Sequence, residues 1–141
     1  MSELVRFAIS IEKKLFDKLE KFVESSDYGN RSEFVRSLVR KYLVEQEWQS
    51  DQVLLGTITI VFDHHARDLN RRLLEHQHNF TGKILASTHI HLDHHTCAEM
   101  IMVQGKGTEI KELAYHLQRE KGIMHAALTT STLGKELHRE K

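Results

Sequence analysis

The chain has no proline and a single cysteine, Cys97, among its 141 residues. One cysteine excludes an internal disulfide and makes a reducing cytoplasm the expected compartment. Without proline, segment ends are marked by glycine, serine and asparagine. No apolar run approaches the roughly 18 residues of a membrane span, and the opening MSELVRF lacks the apolar core of a signal peptide, so no membrane association is expected. Neither sign of charge is in excess: Lys plus Arg is 20 and Asp plus Glu is 20. That balance excludes a polyanion binder acting through bulk charge and leaves only a local patch for nucleic acid. Apolar residues at 40% exclude wholesale disorder. Histidine is what the chain has in quantity. All 11 lie beyond residue 50, and eight fall between His64 and His95. Such asymmetry divides the chain into two segments with different work.

In the first segment, residues 4–11 alternate. Phe7, Ile9 and Ile11 share one face and Arg6, Ala8 and Ser10 the other, as a half-buried strand requires. From Glu12 the spacing becomes helical, carried by Leu15, Phe16, Leu19, Phe22 and Val23 up to the break at Ser25–Gly29. Asn30 and Glu33 have the spacing of a capping box, and Phe34, Val35, Leu38, Val39, Tyr42 and Leu43 form a second apolar helical face behind it. A strand–helix–helix unit of under 50 residues cannot bury a sufficient core alone, and its strand has two open edges. A symmetric dimer answers both problems: two strands form an antiparallel ribbon, and four helices enclose a shared core. Arg6, Ala8 and Ser10 would then face outward from a ribbon able to enter a DNA major groove. The plainer alternative is a dimerisation module whose outer strand face is merely solvated.

A polar stretch at residues 45–51, either more helix or a linker, leads to the second segment. Strands are expected over residues 53–62, 83–92, 97–103 and 124–130, and helices over 66–78 and 108–122. The order βαββαβ is that of a ferredoxin-like domain with helices on one face of an antiparallel sheet. The fold class is therefore α+β. The expected domains are 1–48, a βαα dimerisation unit, and 52–131, the βαββαβ unit, with a polar tail over 132–141.

The run THIHLDHHTCAEM carries the chemistry. His89 and His91, two apart on a strand, point to one face about 6.5 Å apart along the backbone. Cys97 opens the returning strand, and Glu99 lies on its same side, where a carboxylate can orient a ligand. The hairpin thus gathers two imidazoles and a thiolate, with room for a fourth donor from His76 or His78. His64, His65, His94 and His95 read as solvated turn residues, and His116, His125 and His138 as surface. Thiolate with imidazole excludes magnesium and calcium; zinc, nickel(II) and copper(II) all stay open.

A strand–helix–helix unit with NRSE at its second helix, followed by a βαββαβ domain carrying THIHLDHHTC, resembles the nickel-responsive transcriptional regulators, NikR. The likeness runs from about Arg6 to Leu128. It implies a ribbon-helix-helix DNA-binding domain and an ACT-like domain that tetramerises as a dimer of ribbon dimers. It implies one Ni(II) per chain, square-planar at a subunit interface, held by His89, His91 and Cys97 of one chain and His78 of a neighbour, with Glu99 behind them. Nickel would strengthen binding to double-stranded operator DNA and repress transcription, typically of nickel-uptake genes. Arg6, Ala8 and Ser10 match the base-reading positions, although relatives often carry a hydroxyl at the position of Ala8. A second cation site on the second helix keeps Glu33 but has Ser37 where an acid is expected. Three other readings are a regulator of this fold answering another metal or a small molecule, a His/His/Cys metalloenzyme, and an antitoxin-like ribbon-helix-helix protein.

Overall fold

The computed structural model describes residues 3–137, so His138 and the end of the tail lie outside the described residues. The chain divides into two compact units: residues 3–43 with 134–137, and Val44–Leu133.

The first unit holds helix α1 (Lys13–Ser25) and most of helix α2 (Arg31–Gln49). Asn30 caps α2 through its side-chain oxygen, which accepts from the Glu33 amide at 2.9 Å. The reciprocal half of the expected capping box does not form, because the Glu33 carboxylate pairs with Arg36 instead. The Ser37 hydroxyl donates to the Phe34 carbonyl within the same helix. The expected strand over residues 4–11 is not formed in the single chain: residues 3–12 have no regular secondary structure. A strand exists through its ladder, and no segment among the described residues pairs with this one. Phe7 is 75% exposed, and Leu15, Phe22, Leu38, Val39 and Tyr42 are exposed along the two helices. The apolar faces legible in the sequence are thus present and in part uncovered, with Phe16, Leu19, Val23, Phe34 and Val35 half-buried.

The second unit is the expected βαββαβ domain. Its strands are β1 (Val53–Asp63), β2 (Lys83–His91), β3 (Thr96–Lys106) and β4 (Ile123–Thr130); its helices are α3 (Leu69–His78) and α4 (Gly107–Gln118). The order across the sheet is β2-β3-β1-β4, antiparallel throughout. Strict alternation puts Leu54, Ile58, Ile60 and Phe62 of β1 and Cys97, Ile101 and Val103 of β3 inside, where they meet Leu69, Leu73, Ile110, Leu113 and Leu117. On the other face Met100 and Met102 remain exposed.

The helices are shorter than the periodicity predicts. Asp68 adopts a left-handed conformation at φ 57°, so α3 starts at Leu69 rather than Ala66. Gly122 turns the chain at φ 101°, and a Cβ there would stand 2.6 Å from that of Ala66. The stretch at 45–51 is helical up to Gln49, and Trp48 is buried in the second unit's core with its indole N–H donating to the Ser131 carbonyl at 2.7 Å. By compactness Trp48 thus belongs to the second unit, which begins at Val44.

Candidate metal centre

The register of the β2–β3 hairpin sets the centre. His91 stands opposite Cys97 and His89 opposite Glu99, so the four share the inward side of the sheet at its edge strand. Cys97 is fully buried, while His89 and His91 are exposed. The Cys97 sulfur lies 3.2 Å from His91 Nδ1, and it lies 3.3 Å from His64 Nδ1. The donor atoms of His64, His91 and Cys97 all fall within 4.8 Å of one another. His89 is next along the strand, its ring 5.5 Å from that of His91 and edge-on to Phe62 at 5.5 Å. His78 is exposed at the end of α3, outside this group.

Sequence spacing makes His64 a solvated turn residue, yet the fold brings it to the sulfur. Its position follows from strand order. β1 pairs with β3 so that Phe62 faces Cys97, and two residues later the chain turns back over the sulfur, fixed by the His64 amide donating to the His95 carbonyl at 2.7 Å. A topology in which β1 neighbours β3 was the signal that would have found it.

Burial raises the Cys97 thiol above its ordinary range, and the charge of Asp93 adds to the effect. A cation must therefore displace the thiol proton to take the sulfur as a ligand. Glu99 is buried behind the hairpin, accepting from the Ser87 hydroxyl at 2.5 Å and from the Gln77 amide at 3.5 Å. One carboxylate thus joins β2 next to His89, β3 next to Cys97, and α3 next to His78. A soft sulfur with two or three imidazoles fits a borderline transition ion, nickel(II) among them, and does not fit a hard cation.

The proposed base-reading residues Arg6, Ala8 and Ser10 are all exposed, in the stretch without regular structure. No helix among the described residues is long and apolar enough to cross a membrane.

Residues 55–131 match the family model of the NikR C terminal nickel binding domain. A Geobacter sulfurreducens protein named "Putative nickel-responsive regulator" is 43% identical over 98% of this chain and all of its own length. Proteins of the same name from Geobacter metallireducens and Thermococcus onnurineus are 44% identical over 98% of this chain and 40% identical over 96%. They are covered over 100% and 99% of their own lengths. The ACT domain of the Chlorobium tepidum GTP pyrophosphokinase superposes on 55% of this chain and 100% of that one at a TM-score of 0.50 and 16% identity. An uncharacterized Thermotoga maritima protein superposes on 56% and 98% at 0.50 and 18%. These two likenesses show the ACT-like fold alone. Fold, centre and relatives together define a metal-responsive regulator rather than an enzyme. The chain belongs to the nickel-responsive regulator family, NikR, and its metal is nickel.

Proposed function

We propose that this chain is a nickel-dependent repressor that binds double-stranded operator DNA as a homotetramer in the cytoplasm. The observation that carries the reading is the His89, His91 and Cys97 set at an exposed sheet edge in a chain of this family. One Ni(II) per chain is held by His89, His91 and Cys97 with the partner subunit's His78, and Glu99 keeps the ligand-bearing segments in place. The ion supplies a bond between subunits that neither chain makes alone. His78 supports that role because it is exposed at the end of a helix anchored by Gln77, the residue before it. Exposed Ile90, Met100 and Met102 support assembly through the second unit. The partly bare apolar faces of α1, α2 and residues 3–12 support a ribbon-helix-helix dimer, with Arg6, Ala8 and Ser10 reading bases and domains divided near residues 48–52.

The linkage is mass action. Ligands drawn from two chains make metal binding favour one subunit arrangement, and operator affinity rises only by the difference between the two arrangements. The structure favours one further ligand set: His64, His91 and Cys97 of a single chain already converge. Loss of nickel affinity in His64→Ala but not in His78→Ala would select it.

The test is selection of binding sites from randomised DNA duplexes by the full chain, with and without one nickel(II) per chain. Two-fold symmetric sequences recovered with nickel alone are expected. Equal recovery and affinity in both conditions would refute the sensor reading. Titration of the metal-free protein and Cys97→Ala, followed by absorption, checks the centre: a thiolate-to-nickel band is expected only in the parent.

A further inference from the structure

Leu137 is the one apolar side chain that the sequence carries after Leu133. It is half-buried, and the residues that lead to it are folded rather than extended. Gly134 takes φ 77°, and the Leu137 amide donates to the Gly134 carbonyl at 3.2 Å, which closes residues 134–137 into a single turn. That turn belongs to the first compact unit, not to the domain whose last strand precedes it.

Leu137 lines an open cavity of about 250 Å³ with Phe7 of the irregular stretch and Val35, Val39 and Leu43 of α2. The three α2 residues are four apart and form one stripe along the helix. Phe7 and this stripe are part of the apolar face that pairing of two chains has to bury. Charge acts in the same sense. Arg36 and Arg40 border the cavity, Glu136 brings a carboxylate to it, and Arg40 Nη1 is buried with no hydrogen-bond partner among the described residues.

We infer that residues 134–137 are an intramolecular cap on the dimerisation face of the first unit. The inference rests on the ribbon-helix-helix reading above. One surface cannot hold Leu137 and a second copy together, so each chain releases its turn before the two strands pair. Pairing is what presents Arg6, Ala8 and Ser10 to DNA, so the cap opposes the binding form. Half-burying a leucine is worth about fivefold in an equilibrium constant, and that factor is set against pairing in each chain. While the chain is alone, the same contact shields part of an apolar patch that would otherwise stay open.

The experiment compares three metal-free proteins at one chain concentration: the full-length chain, the chain ending at Leu133, and full-length Leu137→Lys. Truncation keeps Ser131 and Thr132, which bond to Trp48 and Glu47, so the second unit stays intact. Lysine at 137 is polar and shares its charge with Arg36 and Arg40, so it releases the turn without shortening the chain. The readout is amide hydrogen exchange of residues 5–11, whose amides gain ladder partners only when two strands pair. Both variants should protect these amides at least fivefold more than the full-length chain. Protection unchanged or lower in either variant would overturn the cap. No protection in any of the three proteins would mean that the ribbon reading itself had failed, and the cap with it.

Discussion

Replacing Glu99 by alanine tests whether one buried carboxylate ties the centre together. The side chain is 8% exposed, and Gln77 beside it is 9% exposed. Glu99 Oε1 accepts at 2.5 Å from Ser87 and at 3.5 Å from Gln77. The short bond is charge-assisted and contributes about 1.5–3 kcal/mol, while the long one adds little directly. Removing the acceptor leaves the buried Gln77 amide without a partner, which costs about 1–3 kcal/mol more. Neighbouring terms do not add fully, so the expected loss is about 3–5 kcal/mol. For a chain of this size that lowers the melting temperature by roughly 10–20 °C. Glu99→Gln keeps the volume and an acceptor oxygen for Ser87, so it should lose only about 1–2 kcal/mol. Both variants should bind nickel roughly 10–100-fold more weakly, because the segments bearing His89, Cys97 and His78 lose their common anchor. Thermal melting by circular dichroism and nickel competition against a chelator read the two effects. An alanine variant within about 1 kcal/mol of the parent, or nickel affinity equal to the parent's in both variants, would refute the reasoning.

Arg6→Ala should reduce operator affinity at least tenfold and leave nickel uptake unchanged, as measured by fluorescence anisotropy and dialysis; equal operator affinity would take the ribbon out of the readout. Trp48→Ala should destabilise the second unit by about 3–5 kcal/mol in urea unfolding, since it removes a buried indole and its bond to Ser131; a loss below about 1 kcal/mol would contradict its place in the core. Glu120 Oε1 is 2.7 Å from His76 Nε2 and its Oε2 accepts from Arg72 Nε at 2.7 Å, and these bonds hold its carboxyl below the usual range. A depressed folded-state pKa contributes stability that is present above the unfolded value and lost as pH falls through the folded one. Glu120→Gln should therefore melt lower than the parent at pH 7, by about 1–2 kcal/mol, and the gap should close on acidification below pH 4; a gap independent of pH would show that the bonds do not depend on charge.

Period and alternation were enough to read the second unit. β1 and β3 alternate in burial over eleven residues each, and in β1 the alternation of Thr57 and Thr59 with Ile58 and Ile60 makes the inward face legible in the sequence. What alternation does not carry is where a helix begins, because that depends on single backbone angles. Asp68 in a left-handed conformation delays the start of α3 to Leu69, and α4 ends at Gln118 before Gly122 turns the chain at positive φ; neither Asp68 nor Gly122 breaks the apolar spacing. The first unit shows the opposite limit. Its strand pattern is sound, yet the described residues of one chain offer no ladder partner, so residues 3–12 stay irregular and Phe7 and Ile9 stay exposed. A pattern can call for a partner without containing one.

The centre divides along the same line. His89, His91, Cys97 and Glu99 belong to one hairpin, where a period of two and one turn suffice to bring them to one face. His64 is 33 residues from Cys97 in sequence, and their contact at 3.3 Å exists only because β1 lies between β3 and β4. Adjacent histidines at a strand end look like solvated polarity until the strand order is known. Here that order turns His64 towards the sulfur while His65 lines an open cavity with His95. Local spacing therefore identified the candidate side chains that share an element, and chain topology supplied the one that does not. His78 falls outside both rules: it is exposed and apart from the cluster within one chain, so its proposed role as a ligand needs a second copy, which neither the spacing nor the fold of a single chain contains.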